Sequence, residues 1–391
     1  MKKFLAICLL GVALLVASVF GANQSSATPD ALTAELGLSV EEATIVRNQS
    51  HAMETLETVM KLIESDPKLV EHYGGHYLGK GGLVVQFTVP VSGPLANMKD
   101  VTLEQVKYTY KELKEVHRTL LESLIAKGPD SVIRAIATDV MSNSVHVWVT
   151  SKSEETLSSV KGMAALTSNT AADDAVTFIL SEGDIKNASD IINGRYHSDV
   201  NGFGGTIGFR ARREVSPGVY EHGYISTGHV PTTSGTAMYD SPDGGTTWNR
   251  VGTFRLKVEG GTVDASFIAA VSGRTPTKTF MNYNSYAYVL ENNQLGLFVE
   301  HYGATSGRTT GYITQNDYAG WANGIFFTNL IRANFPSQAG DSGAAVTWIR
   351  YVGSGSAVRC VTGVYKGWLT ANDSVYCRVN NVLAALGVQG Y

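Results

Sequence analysis

Gly340-Asp341-Ser342-Gly343 is the stretch on which the reading of this chain turns. All four residues favour turns, and taken alone they make nothing more than a turn. Upstream, however, stand Thr227-Gly228-His229 and Val263-Asp264-Ala265-Ser266-Phe267, so that a histidine, an aspartate and a serine follow in that order. A hydroxyl is a poor nucleophile at neutral pH. It needs an imidazole to take its proton and a carboxylate to fix the imidazole tautomer. His229, Asp264 and Ser342 are therefore the candidate base, orienting partner and nucleophile of peptide hydrolysis. If the amides of Gly340 and Ser342 point at one spot, they form an oxyanion hole, and losing one such donor typically costs ~100-fold in rate.

The second half of the chain has the texture of an all-β domain. Ile207, Phe209 and Ala211 alternate, Ser216-Pro217-Gly218 turns, and residues 219–225 return as a strand. Ser241-Pro242-Asp243-Gly244-Gly245 marks another turn, and strand-like runs at 286–290 and 295–299 flank Asn292-Asn293. Many short strands with such turns predict barrels. Only the end is helical: Val379, Val382, Leu383 and Leu386 follow the 3.6 period, and Gly387 stops the helix.

Residues 24–190 differ. Thr102-Leu103-Glu104-Gln105 has capping-box form, and Leu103, Val106, Tyr110, Leu113, Val116, Leu120 and Leu124 recur at helical spacing. An earlier helix is expected over residues 52–63, with strands at Leu83-Val84-Val85-Gln86-Phe87 and Val145-His146-Val147-Trp148-Val149. The mixture reads as α+β.

On these residues the chain resembles the secreted bacterial chymotrypsin-like serine peptidases of the α-lytic protease and streptogrisin type. Beyond the three candidate residues, Ile191-Ile192-Asn193-Gly194 resembles the start of the mature enzyme, Tyr224-Ile225-Ser226-Thr227-Gly228-His229 its histidine strand, and Ser306-Gly307-Arg308-Thr309-Thr310-Gly311 a family loop. Tyr73-Gly74-Gly75-His76-Tyr77 is similar to the family's pro-region. The resemblance implies two six-stranded antiparallel barrels with a C-terminal helix, preceded by an α+β pro-region that assists folding and inhibits until cleaved. It implies a signal peptide at 1–22, a pro-region at 23–190 and a peptidase domain at 191–391. The partners would be protein or peptide substrates and the chain's own pro-region. Arg308 carries over as the cation that pairs with Asp341; an exposed turn arginine is the other reading. Lys366, Gly367 and Trp368 fall on the family's Ser-Gly-Gly wall of the substrate pocket, a departure from its pattern, and Ala344 stands where the family's Gly-Asp-Ser-Gly-Gly has its last glycine. With that wall altered, a catalytically impaired peptidase-like binding protein is the second reading. Residues 23–190 could also serve as a binding or targeting domain.

Composition narrows the partners. In 391 residues with 43% hydrophobic and a net charge of −4, there is material for two packed cores and no basic footprint for nucleic acid. Met1-Lys2-Lys3 and an apolar run over residues 4–20 read as an export signal, with an uncleaved anchor as the other reading; removal of the signal leaves no stable membrane association. Cys8 leaves with it, so Cys360 and Cys377 remain, expected as a disulfide in an exported domain or else as two buried thiols. His222 lies near His229 without cysteines or clustered carboxylates to complete a metal set, so neither metal nor cofactor is expected.

Overall fold

The computed structural model describes Thr33 and residues 36–391, apart from 129–130, 166–171, 182–185, 188–195, 199–201, 203, 231, 242–245, 281–284 and 353–355. The expected signal at 1–22, the stretch Ile191-Ile192-Asn193-Gly194 and the turn at 242–245 lie outside the described residues.

The N-terminal half is α+β. Helix α1 (Val40–Ser65) starts at Ser39, whose hydroxyl accepts from the Glu42 amide while the Glu42 carboxylate accepts from the Ser39 amide. This reciprocal bonding satisfies two otherwise orphaned donors. Helix α2 (Pro67–His72) leads into β1 (Tyr73–Gly79), β2 (Gly82–Phe87) and β3 (Val101–Gln105), which form one sheet in that order. Here the sequence expectation fails. Thr102–Gln105 is not a helix start but a strand, paired parallel with β2 from Leu83↔Val101 to Phe87↔Gln105. The Thr-x-x-Glu spacing recurs at Thr109 and Glu112, and that second box caps helix α3 (Tyr110–Lys127). Strands β4 (Ile133–Asp139) and β5 (Ser144–Val149), helix α4 (Glu154–Ala165) and strand β6 (Val176–Leu180) follow. The apolar face of α3, with Leu113, Val116, Leu120 and Leu124, packs on Ile133, Ile136, Val145 and Val147.

The short strand β7 (Lys186–Asn187) precedes β8 (Tyr196–Ser198), β9 (Gly204–Thr206), β10 (Arg210–Ser216), β11 (Val219–Ser226), β12 (Ala237–Ser241), β13 (Asn249–Gly260) and β14 (Val263–Ala270). These run β10-β11-β14-β13-β12-β8-β9 with every neighbour antiparallel. Because β9 passes into β10 through Gly208, which bonds to Ile225, the two count as one strand and the path closes on itself as a six-stranded barrel. After β15 (Tyr286–Val289), strands β16 (Phe298–Gly303), β17 (Gly307–Ala322), β18 (Ile325–Ala333), β19 (Ala345–Val352), β20 (Ser356–Thr370) and β21 (Asp373–Arg378) run β16-β19-β20-β21-β18-β17. The additional β16–β17 pairing closes this second ring, again all antiparallel. The fold is thus the expected pair of six-stranded barrels. The strand-like runs around Asn292-Asn293 do not make a hairpin, since β15 instead pairs parallel with β20. Helix α5 (Val379–Leu386) ends at Gly387 in the left-handed region, as its sequence predicts, and β22 (Gln389–Gly390) then pairs with β10.

Phe209, Ile225, Ala265 and Phe267 of the first barrel share a core with Phe327, Val361, Val364 and Cys377 of the second. That shared core fixes the two barrels against each other. The N-terminal half joins the second barrel twice. Strand β4 adds to β17 through Ala319↔Ile136 and Gly320↔Ala135, while Val59, Ile63, Leu83 and Phe87 pack with Val299, Ile331 and Trp348.

The structure corrects the disulfide. Cys360 and Cys377 are both free and buried. Val364, not Cys360, stands opposite Cys377 in the β20–β21 register, so the cysteines are offset by four residues, roughly 13 Å along a strand. A bridge requires Cα atoms within about 7 Å. The two thiols also belong to different cores, Cys377 to the inter-barrel one and Cys360 to that shared with the N-terminal half.

Candidate active site

The three candidate residues come from separate elements that the inter-barrel core brings together. His229 follows β11, Asp264 is the second residue of β14, and Ser342 lies between β18 and β19. His229 Nδ1 is 2.7 Å from Asp264 Oδ2, and the other oxygen, Oδ1, accepts from the Gly228 amide at 2.8 Å. The approach explains Gly228: a Cβ there would stand 2.9 Å from Asp264 Oδ1 and 2.7 Å from the Ala265 nitrogen. Thr227 Oγ1 lies 2.7 Å from His229 Nδ1 and 3.4 Å from Asp264 Oδ1.

The Ser342 loop is held from both sides. Asp341, fully buried, accepts from the amides of Thr305, Ser306 and Gln338 at 2.8–3.0 Å. Gly343 has φ of +91°, and a Cβ there would stand 2.6 Å from Ser226 Oγ, Thr206 O and the Thr227 nitrogen. The Ser342 loop can therefore dock on the first barrel only with glycine at this position. Gly340 also has positive φ, +95°. Ala344, in place of the motif's last glycine, is accommodated without exposure, its carbonyl accepting from the Tyr365 amide at 2.9 Å. Ser342 Oγ donates to the Lys366 carbonyl at 3.0 Å. Among the described residues it forms no bond to His229, and Ser342 has no exposed surface.

Two assignments change. Arg308 does not reach Asp341. Its Nε donates to Glu300 at 2.8 Å and its Nη2 to Glu42 of α1 at 3.0 Å. Glu300, fully buried, also takes the Arg359 guanidinium at 2.6 Å, whereas Asp341 is already satisfied by main-chain amides and needs no cation. Lys366 is not a pocket-wall side chain. It is fully buried, with Nζ 2.6 Å from Asp264 Oδ2 and 3.9 Å from the centre of the Phe327 ring. Gly367 and Trp368 do line an edge: they pair antiparallel with Asn187 and Lys186 of β7. The Lys366 charge thus faces Asp264.

Asp264 is thus shared. Burial opposes its charged form, but His229 and Lys366 outweigh burial and hold the carboxyl well below the usual range. Sequence reasoning missed the role of Lys366, which stands where the pairing of β20 with β21 shifts register between Tyr365 and Gly367. Cys377 lies behind the pair, its Sγ accepting from the Asp264 amide at 3.2 Å. Burial pushes that thiol up to about 12.

The solved structures that match are bacterial chymotrypsin-like serine proteases. Cellulomonas bogoriensis chymotrypsin is 21% identical, with 52% of this chain and 98% of that one covered at a TM-score of 0.38. Thermobifida fusca protease A is 22% identical over 51% and 97% at 0.39, and the Nocardiopsis protease 22% over 52% and 99% at 0.38. No family model and no curated protein matches the chain.

Proposed function

We propose that this chain is an exported serine endopeptidase made as a zymogen, with residues 1–22 as signal, 23–190 as pro-region and 191–391 as the peptidase. The observation that carries the reading is the 2.7 Å contact of His229 Nδ1 with Asp264 Oδ2, at the barrel junction where the Ser342 loop also docks. His229 takes the Ser342 proton at Nε2 as Oγ attacks the scissile carbonyl. The amides of Gly340 and Ser342 hold the oxyanion, and His229 then protonates the leaving amine. Water, activated by the same imidazole, releases the acyl group. An extended substrate adds as a strand along Gly367 and Trp368, the edge that β7 occupies here. Occupation of that edge by residues 186–187, and the lack of exposed Ser342 surface, support a latent full-length form.

The second reading, a peptidase-like binding protein, is favoured by one contact, the bond of Ser342 Oγ to the Lys366 carbonyl instead of to His229. A fluorophosphonate probe separates the two. After removal of the N-terminal half, label is expected on Ser342 and absent from Ser342→Ala. A folded chain that takes no label is a binding protein.

A further inference from the structure

The ammonium of Lys366 and the imidazole of His229 share a single carboxylate oxygen. Lys366 Nζ is 2.6 Å and His229 Nδ1 2.7 Å from Asp264 Oδ2, and the side chains of lysine, aspartate and histidine are 0%, 0% and 2% exposed. We propose that Lys366 is a positioning residue of the triad, which fixes the Asp264 carboxylate and, by cancelling its charge, opposes proton uptake by His229, so that the base stays available at lower pH.

The argument is one of charge and reach. A carboxylate beside a neutral donor leaves the buried site at −1, and a proton on the imidazole brings it to zero. With Lys366 in place the carboxylate is already neutralised, and the same proton brings the site to +1 where no water screens it. The lysine stem cannot swing away, because Nζ lies over the Phe327 ring, 3.9 Å from its centre. The remaining titratable groups nearby do not offset this. Cys377 on β21 is a neutral thiol. Lys257 on β13 donates to the Val230 carbonyl at 2.8 Å and lies 3.8 Å from Glu259, so its charge is paired on the strand outside the triad. Gly228 and Thr227 anchor Oδ1, leaving Oδ2 to Lys366 and His229.

Lys366→Met keeps an unbranched stem over Phe327 and removes the charge; Lys366→Gln keeps a donor without charge. In the full chain, NMR titration of the His229 ring is expected to move to higher pH in both variants by at least about one unit, a tenfold change in proton affinity. An unchanged midpoint in a folded variant overturns the proposal. This arm stands apart from the peptidase reading, on which only the kinetic arm rests: in the matured chain, the acid limb of kcat/KM should rise by the same amount, with Lys366→Arg holding the wild-type limb. Failure of Ser342 labelling with a shifted His229 midpoint sinks the peptidase reading and leaves the role of Lys366. If both variants fail to fold, the wild-type chain decides. The 15N resonance of the Lys366 ammonium is expected to move as His229 titrates, and a resonance that does not move overturns the coupling.

Discussion

Gln49 of α1 and Phe298 at the start of β16 are joined by a bond between the side-chain carbonyl of the first and the main-chain amide of the second, at 2.8 Å. The same side chain donates to the Gly296 carbonyl at 2.6 Å, so one amide group serves both partners as a neighbouring strand would. Gln49 is buried. Gln49→Leu should leave a donor and an acceptor of the barrel unpaired and lower the stability of the full chain by about 2 kcal/mol or more. Urea unfolding with an unchanged slope checks it, and a midpoint equal to wild type refutes it.

His301 predicts a pH dependence. It is stacked on Phe335, with ring centroids 4.9 Å apart, and burial lowers its pKa to about 4 despite the nearby Asp341. Between about 4 and the unfolded value near 6.5 the unfolded chain holds more protons on this residue, so stability rises with pH across that window and falls as the solution is acidified. The contribution is on the order of 3 kcal/mol. Denaturant midpoints at pH 4 and 7 should differ less in His301→Phe, which keeps the stack and removes the titration.

The two thiols should be silent in the folded chain. Burial pushes both Cys360 and Cys377 up to about 12. Ellman's reagent is expected to find neither until denaturant is added, and dithiothreitol should leave the melting temperature where it was. A drop on reduction would mean that the two are bridged in solution.

Ser342→Ala is expected to keep the N-terminal half covalently attached, read as an intact mass by mass spectrometry while the wild-type chain is trimmed a few residues beyond Asn187. Trimming of the variant at the wild-type rate would assign the cut to another protease.

Much of this was legible because the chemistry is local. His229 and Ser342 announce themselves through short glycine-bearing motifs, although the contacts that demand Gly228 and Gly343 come from other strands, Val258, Asp264 and Ala265 for the first and Thr206, Ser226 and Thr227 for the second. The barrels showed in the alternation and the turns. What failed was decided at long range. Arg308 is divided between Glu300, eight positions back across the β16–β17 turn, and Glu42, 266 positions away, and nothing near Arg308 marks the second. Cys360 and Cys377 invited a bridge by count, but strand register and the face each thiol occupies decide pairing. Lys366 was read as a pocket position, whereas it stands at a break in the β20–β21 register and its side chain reaches Asp264, 102 positions away. The start of α3 was misplaced because one of two Thr-x-x-Glu/Gln boxes was claimed by pairing with β2.

If the N-terminal half is removed as proposed, the pairing of β4 with the β17 arm has a cost that falls on residues 191–391. Once the N-terminal half leaves, the main-chain groups of Ala319 and Gly320 lose the strand beside them, and the surfaces of Ile331 and Trp348 lose part of their apolar cover. A molecule released in that way would present a bare sheet margin next to a greasy patch, the combination through which copies of a protein stick to one another. Dilution at the moment of release should govern how much stays in solution.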